Sequence, residues 1–320
     1  MLGRVTAPNR PASLTWLPHF IALALVWGSS FLFIKVAVAE VPPAYVALFR
    51  VALGALTLLA IIAFTSHRLP RGWGLWGHLA IVAFIGNVIP FALFAYGEQE
   101  VSSGIAGIWN ATTPLTMMPV MLLFFRSEKL TRPKVIGLFT GFAGVLVVLG
   151  VWQGIGAGTL AGHLLCFGAA TSYAFAGPYM RQHLTGRDIS GVSLATGQIV
   201  MATVELAVLA PLMAGSPPPV SSLSWQVLAA LVALGAFGTG IAFVLNYHVI
   251  RIVGISTMAT VTYLMPIVAV TMGFLVLGER LAWYQPLGAL IVLSGVAISQ
   301  DIPSRLLARF RARPEQALAQ

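Results

Sequence analysis

Three ionisable residues lie clearly inside long apolar runs of the sequence: Lys35, Arg50 and Glu205. A charge within a hydrocarbon layer is costly, so each is a candidate functional group unless it finds a partner or reaches water. In helices, Arg50 and Glu205 would both lie about eight residues, or roughly 12 Å, from the same side of the layer. They are expected to pair as a structural bridge or a gate, unless Arg50 instead attracts a ligand carboxylate. Lys35 belongs to the same gating or charge-pair group, although its flexible side chain is also able to extend to the interface.

Polar and aromatic side chains recur with the spacing i, i+4, i+7, which places them on one face of a helix. The three such sets are Trp109, Thr113 and Thr116; Thr239, Phe243 and Asn246; and Ser256, Thr260 and Tyr263. A polar residue gains nothing from facing lipid, so these faces either pack between helices or line a cavity. We favour a mixed polar and aromatic cavity. Its predicted lining is Trp27, Asn87, Phe91, Trp109, Thr113, Thr116, Thr171, Tyr173, Thr239, Phe243, Asn246, Thr260 and Tyr263.

Several kinds of catalytic chemistry have no counterpart in the sequence. No combination of His, Cys, Asp and Glu has the spacing of a metal site, so we expect no metal and no other cofactor. The strings Gly-x-Ser-x-Gly, His-Glu-x-x-His and Gly-x-x-x-x-Gly-Lys-Ser/Thr are absent, which argues against an enzyme and against direct use of ATP. His78, His163 and His248 lie near predicted helix ends and are interpreted as wetted residues, with proton relay as the alternative.

The composition indicates which elements must position these residues. Of 320 residues, 58% are hydrophobic and 8% are charged, whereas a soluble domain is about 25% charged. Most of the surface must therefore face a lipid bilayer. The net charge of +9 does not indicate a nucleic-acid partner, because Lys and Arg lie in short connections between apolar runs. Residues 1–15 lack the pattern of a cleaved signal peptide.

Apolar runs of about 20 residues cross a hydrocarbon core of roughly 30 Å. Ten such runs are predicted as transmembrane helices, with proline, glycine or charge at the breaks. They lie near 16–38, 42–64, 75–97, 101–125, 133–152, 158–182, 189–213, 224–250, 254–278 and 284–301. Pro114, Pro119 and Pro266 fall inside runs and are expected to kink their helices, because neighbouring groups can satisfy the freed carbonyls.

Charge placement orients the chain across a bacterial-type inner (plasma) membrane with both termini cytoplasmic. In this orientation nearly every basic residue of the connections and termini is cytoplasmic. The outer connections hold Glu40, Glu98, Glu100 and Glu279 with a single cation, Arg280. Changing the number of spans by one would destroy this segregation, so the count and the orientation support each other.

An internal repeat divides the chain. Glu128-Lys129-Leu130 followed by Gly137 and Gly144 matches Glu279-Arg280-Leu281 followed by Gly288 and Gly295 without a gap. The expected domains are a five-helix repeat over 1–152, a second over 153–302, and a basic cytoplasmic tail over 303–320. Since five spans per repeat is an odd number, the second repeat is inverted relative to the first. The glycine-rich fifth helix predicts close helix packing, either inside the bundle, which we favour, or at a dimer face.

The segment Leu25-Val26-Trp27-Gly28-Ser29-Ser30-Phe31, followed by Lys35, by Phe49-Arg50 and by the two repeat blocks, resembles the EamA family of the drug/metabolite transporter superfamily. The resemblance extends from about Pro18 to Gln300. It departs from the family pattern at Arg126-Ser127, which replace the small residue before Glu128. It implies ten helices in two inverted bundles around a central cavity, and the export of metabolites, often amino acids.

Uncharged hydrogen-bonding groups and aromatic walls suit a zwitterion or a neutral amphiphile, so amino acids with aromatic or hydrophobic side chains are the expected substrates. Efflux of aromatic cationic drugs is the alternative, since aromatic faces also hold cations. A dianion would need several convergent Arg or Lys residues. With Glu205 as the only deep acid, facilitated diffusion by a monomer is expected rather than proton coupling.

Overall fold

Long apolar runs form helices throughout the part of the chain that the computed structural model describes, which is residues 16–125, 131–153, 157–184, 187, 189–253, 258 and 260–299. These residues contain no strand. The helical segments group into ten helices: α1 Leu17–Ala37, α2 Pro43–Ala63, α3 Trp73–Glu100, α4 Ser103–Phe125, α5 Arg132–Leu149, α6 Ala157–His183, α7 Gly191–Ala214, α8 Trp225–Ile252, α9 Val261–Leu277 and α10 Tyr284–Ser299. The all-helical class expected from the sequence is confirmed.

Seven helical stretches in the described residues have the length and hydropathy needed to cross a membrane. They are α1 to α4, α5 together with the short turn up to Gln153, α7 and α8. Helices α6, α9 and α10 occupy the positions of the remaining predicted spans. The predicted basic tail over 303–320, together with Glu128 and Ser256, lies outside the described residues.

Three helices contain wide, π-helical turns: Phe84–Val88 in α3, Met121–Phe125 in α4 and Ala233–Ile241 in α8. In α3 the wide turn ends two residues before Pro90, which has no amide hydrogen to donate to the preceding turn. The Ser172 hydroxyl donates to the carbonyl oxygen of Ile85 at 2.6 Å. A side chain from α6 thus satisfies a carbonyl within the irregular turn, as membrane helices require.

Helices α5 and α10 pack against each other through glycines. A methyl group added at Gly144 would lie 2.6 Å from the amide nitrogen of Val292 and 2.9 Å from the carbonyl oxygen of Gly288. Gly288 is similarly close to the backbone of Val148. The glycine face of α5 therefore serves packing within one chain, which is the favoured sequence interpretation.

Helices of the two predicted repeats interleave rather than forming separate bodies. Helix α1 packs on α9, α2 on α7 and α8, and α3 on α6. At the end of the bundle where α1 meets α2, here called the Glu40 end, several polar contacts join residues of the first half to the second. Glu40 Oε2 accepts from the Ser224 amide at 2.8 Å, and the Tyr45 hydroxyl donates to the Gly215 carbonyl at 2.5 Å.

Glu279 makes the most extensive of these contacts. Its carboxylate accepts from the Ser103 amide at 2.9 Å, from the Ser103 hydroxyl at 2.7 Å and from the Gly104 amide at 3.3 Å. These amides belong to the first turn of α4, where unpaired N–H groups and the helix dipole favour an anion. At the opposite end of the bundle, His78 Nδ1 lies 2.9 Å from the Tyr179 hydroxyl.

Candidate functional site

A central cavity of about 300 Å³ lies between helices of both halves. Its aromatic walls are Trp27, Phe31, Phe91, Phe94, Tyr173 and Phe243, and its polar groups are Ser30, Arg50, Asn87, Asn110, Thr113, Gln198 and Thr262. Arg50 is the only charged side chain among the lining residues that the structure describes. The cavity thus offers one cation, several amide and hydroxyl groups, and a large aromatic surface.

Arg50 is held in a defined orientation. Its Nε donates to Thr239 Oγ1 at 3.2 Å, and its guanidinium lies 3.8 Å from the centroid of the Phe91 ring. The Thr239 hydroxyl in turn donates to the Leu234 carbonyl at 3.1 Å within the wide turn of α8, so its oxygen is free to accept. The Nε bond is the only hydrogen bond of Arg50 to another described residue, which leaves the terminal N–H groups available to the cavity.

Two amide side chains from opposite halves meet at the cavity wall. Gln198 Nε2 donates to Asn87 Oδ1 at 2.6 Å, and both residues are buried. Asn87 lies in the wide turn of α3. Asn110 contributes a third amide and directs its Nδ2 towards Met265 Sδ at 3.8 Å. The amides that are not consumed by these contacts can bond a polar ligand.

The structure places six of the thirteen predicted lining residues on the central cavity: Trp27, Asn87, Phe91, Thr113, Tyr173 and Phe243. Thr239 is adjacent through its bond to Arg50. Ser30, Asn110, Gln198 and Thr262 were not among the predicted residues. Each of these four residues is a polar side chain inside an apolar run. That feature can be recognised one residue at a time, without a repeated spacing along the helix.

Trp109 and Thr116 require a correction, because they do not line the central cavity. They lie on a second cavity of about 270 Å³, between α4, α5 and α6, with a lining that includes His163 and Phe167. Helix α4 is interrupted at Ala111 and Thr112, just before Pro114, so the stripe from Trp109 to Thr116 does not continue on one face. Pro114 has no amide hydrogen to donate to the Asn110 carbonyl four residues earlier, which accepts instead from the Thr113 hydroxyl at 2.8 Å, and this lost backbone bond accounts for the break.

His163 also differs from the prediction of a wetted helix-end residue. It is buried, and its Nδ1 accepts from Trp109 Nε1 at 2.8 Å. His248, in contrast, is exposed, as expected. The hydrogen bond fixes the indole and the imidazole against each other on the second cavity.

The remaining predicted residues lie outside the linings of both cavities. Thr171 donates its hydroxyl to the Phe167 carbonyl at 2.9 Å. Asn246 and Thr260 are half-buried. Tyr263 packs against a small cluster formed by Leu115, Val292 and Val296. These positions fit packing between helices, which was the alternative interpretation of the stripes.

The predicted charge group is not brought together. Arg50 and Glu205 form no ion pair in the described structure, and Glu205 Oε2 is buried without a hydrogen-bond partner. Lys35 Nζ donates to the carbonyl oxygens of Glu98 and Val101, at 2.5 and 2.9 Å, so it caps the C-terminal end of α3. Lys35 therefore ties α1 to α3, and it pairs with no carboxylate of the described residues.

The position of Glu98 also differs from the prediction. Placed in an outer connection by the sequence analysis, it lies in the last turn of α3 and is 0% exposed, with neither carboxyl oxygen hydrogen-bonded. Glu205 is thus not the only acid with a buried carboxyl oxygen inside a candidate span. The sequence missed Glu98 because the run Gly-Glu-Gln-Glu resembles a polar loop, and its burial depends on helices that are distant along the chain.

This architecture and cavity are those of a membrane transporter, and the chain belongs to the EamA-like transporter family, whose model matches residues 14–150 and 160–299. Each matched segment lies within one of the two predicted repeats. The match also confirms the resemblance found in the sequence.

Relatives along nearly the whole chain are described as transporters. The chain is 25% identical to the uncharacterized transporter YoaV of Bacillus subtilis (strain 168), over 89% of this chain and 96% of the relative. It is 28% identical to the uncharacterized inner membrane transporter YedA of Escherichia coli (strain K12), over 88% of this chain and 90% of the relative. A protein whose crystal structure has been solved shares the fold, with a TM-score of 0.61 at 18% identity, covering 90% of this chain and 98% of that one.

Proposed function

We propose that this transporter exports amino acids, with aromatic and hydrophobic ones favoured, and related small metabolites, by alternating access through the central cavity. The observation that supports this proposal is the buried Arg50 among amide groups and aromatic walls, with no acid among the described lining residues. The volume of about 300 Å³ is at the lower end of the range for small-molecule sites.

Each part of an α-amino acid has a complementary group in the cavity. The terminal N–H groups of Arg50 can bond the carboxylate in a bidentate, charge-assisted manner. The carbonyl oxygens of Asn87, Asn110 and Gln198 can accept from the ammonium group. The aromatic walls can pack against an apolar side chain. A dianion is a poor match, because Arg50 is the only cation of the described lining.

Efflux of aromatic cationic drugs is the second candidate. It is favoured by the six aromatic side chains of the wall, since aromatic faces attract cations. However, Arg50 would repel such a cargo, and the described lining provides no carboxylate to offset its charge. The two candidates therefore differ in what they require of Arg50.

We also propose that all ten helices cross an inner membrane as two inverted halves, with both termini cytoplasmic and the monomer as the transporting unit. The gap-free repeat and the packing of α5 on α10 at corresponding glycines support the inverted arrangement. In this orientation the Glu40 end faces outwards.

Uptake of radiolabelled L-phenylalanine into proteoliposomes tests the proposal, with L-phenylalaninamide and tetraphenylphosphonium as competitors. We expect saturable uptake that phenylalaninamide, which lacks the carboxylate, does not inhibit. Arg50→Gln should lower kcat/KM at least tenfold, in line with the loss of a charge-assisted hydrogen bond. Arg251→Gln, the same change at an exposed position, should leave uptake unchanged.

Transport of tetraphenylphosphonium without transport of any amino acid, with Arg50→Gln improving it, would establish the drug-efflux candidate instead. Arg50→Lys serves as a second variant if Arg50→Gln does not accumulate. It keeps the charge but loses the bidentate geometry, so intermediate uptake is expected.

A further inference from the structure

The Glu98 side chain is buried, and its carboxyl group has no hydrogen-bond partner in the described structure. It lies in the candidate span Trp73–Glu100, its side chain is 0% exposed, and both carboxyl oxygens lack a hydrogen-bond partner. Burying a carboxylate without pairing and hydrogen bonding is very unfavourable, and such a group instead takes up a proton and becomes neutral. Among the described residues, the Glu98 backbone carbonyl accepts from Lys35, but the side chain forms no hydrogen bond that would hold the fold together.

The charged groups that face Glu98 come from three other elements. Lys35 on α1, Arg50 on α2 and Glu279 before α10 act on it electrostatically. Lys35 directs its ammonium to two backbone carbonyls, and Arg50 directs its Nε to Thr239. No ion pair with Glu98 exists in the described structure. The Glu279 charge further disfavours a second negative charge nearby.

Two titratable residues of α6, Cys166 and His163, lie beside the end of α3. The Cys166 thiol packs against the backbone of Gly97, next to Glu98. His163, one turn away on α6, is engaged with Trp109. Neither group supplies the carboxyl with a hydrogen bond. The Cys166 thiol is nevertheless close enough to interact electrostatically with Glu98.

We propose that Glu98 is a proton-binding site whose occupancy is linked to closure of the Glu40 end. With this end closed, as in the structure, the carboxyl is neutral. When the contacts of Glu40 and Glu279 separate, water reaches Glu98. Its O–H bond breaks, the proton passes to water, and the remaining carboxylate is stabilised by hydration and by Lys35.

Linkage makes this coupling reciprocal: protonation of Glu98 favours closure, and a rise in pH favours opening. The proton is then a second ligand of the transporter, and a pH difference across the membrane biases its cycle. Facilitated diffusion was expected because Glu205 was the only acid predicted inside a span, and Glu98 is a second acid within a candidate span. This inference rests on one part of the proposed function, namely that the Glu40 end opens during transport.

Infrared difference spectroscopy on the purified protein tests the proposal without any substrate. We expect a carbonyl stretching band of a protonated, buried carboxyl group at neutral pH, which disappears as the pH is raised. Glu98→Gln should lack this band, whereas Glu100→Gln, an exposed position two residues away, should retain it. Any infrared band of the Glu205 carboxyl is present in both the parent and Glu98→Gln. It therefore disappears when the spectrum of the variant is subtracted from that of the parent.

Coupling to closure is tested with Glu40→Ala, which removes the acceptor of the Ser224 amide without changing a charge that acts on Glu98. The band should then disappear at a lower pH than in the parent. A band that survives Glu98→Gln, or that titrates identically in Glu40→Ala, overturns the proposal. If Glu98→Gln does not accumulate, Glu98→Asp must shift the band. Because no substrate is present, failure of the amino-acid assignment does not affect these outcomes.

Discussion

At the scale of single residues, hydrogen bonds between the two halves determine what each polar side chain can do. Arg50 is oriented by Thr239, and Asn87 by Gln198. Each of these hydrogen bonds uses only some of the donors and acceptors of the side chain. The others can bond a ligand. Trp109 shows the opposite case, because its only polar group is consumed by His163.

Replacing Trp109 with Phe tests its assignment to the second cavity. The change leaves the buried His163 Nδ1 without its donor, so the free energy of unfolding should fall by about 1–3 kcal/mol. Since Trp109 does not line the central cavity, KM for the substrate should not change. Thermal unfolding in detergent and the concentration dependence of uptake measure the two effects.

Trp27→Phe is the matched control, because Trp27 lines the central cavity. We expect this variant to raise KM, since it reduces the aromatic wall. If Trp109→Phe raises KM as much as Trp27→Phe does, the assignment of Trp109 to the second cavity is wrong.

At the scale of helices, small residues and irregular turns decide which faces meet. Glycines allow α5 and α10 to approach until their backbones touch. Wide turns in α3 and α8 contain Asn87, which lines the cavity, and Thr239, which orients Arg50. Neither feature follows from helical periodicity, because both depend on a partner helix.

Gly144→Ala should lower the free energy of unfolding by about 1–3 kcal/mol or more, since the added methyl group meets backbone atoms that cannot move aside. Gly77→Ala is the control: it is in a helix with open space around it, and alanine there should stabilise by about 0.5–1 kcal/mol. Thermal melts of both variants check this. Equal melting temperatures for the two would contradict the packing of α5 on α10.

The contact of Glu40 with the start of α8 should depend on pH. The hydrogen bond from the Ser224 amide lowers the pKa of the Glu40 carboxyl from its ordinary value of 4.5. Because the folded pKa is the lower one, the contribution to stability is complete above pH 4.5 and is lost as the pH falls through the folded pKa. The melting-temperature difference between the parent and Glu40→Gln should therefore shrink in acid. A difference that grows as the pH falls would rule out this contact as the cause.

At the scale of the whole molecule, the two halves are joined at the Glu40 end by a few polar contacts. The carboxylate of Glu279 on the first turn of α4 is the strongest of them, because it combines charge with three donors. Opening of this end therefore depends on a few side chains, and each of them can be substituted separately.

Glu279→Gln should shift the molecule towards opening at this end. Loss of a hydrogen bond to a charged group is worth about 1.5–3 kcal/mol, which corresponds to about tenfold or more in population. Cys166 is the only cysteine and is fully buried, so its labelling rate by a polar thiol reagent reports the opening. Arg280→Gln, at the exposed neighbouring position, should label like the parent. Unchanged labelling in Glu279→Gln would show that this contact does not hold the end closed.

The sequence by itself determined the class of protein, the positions of the helices and the family. Hydropathy and turn residues are local properties, and they need no knowledge of neighbouring helices. Helical periodicity also singled out Thr113 and Phe243, and both line the central cavity.

Only the tertiary structure decided which predicted faces share one cavity. The break in α4 before Pro114 separates Trp109 from Thr113. The bond between Arg50 and Thr239 and the burial of Glu98 join parts of the chain that are far apart in sequence. Such features arise from the free energy of burying polar groups against particular partners, and those partners exist only once the helices are packed.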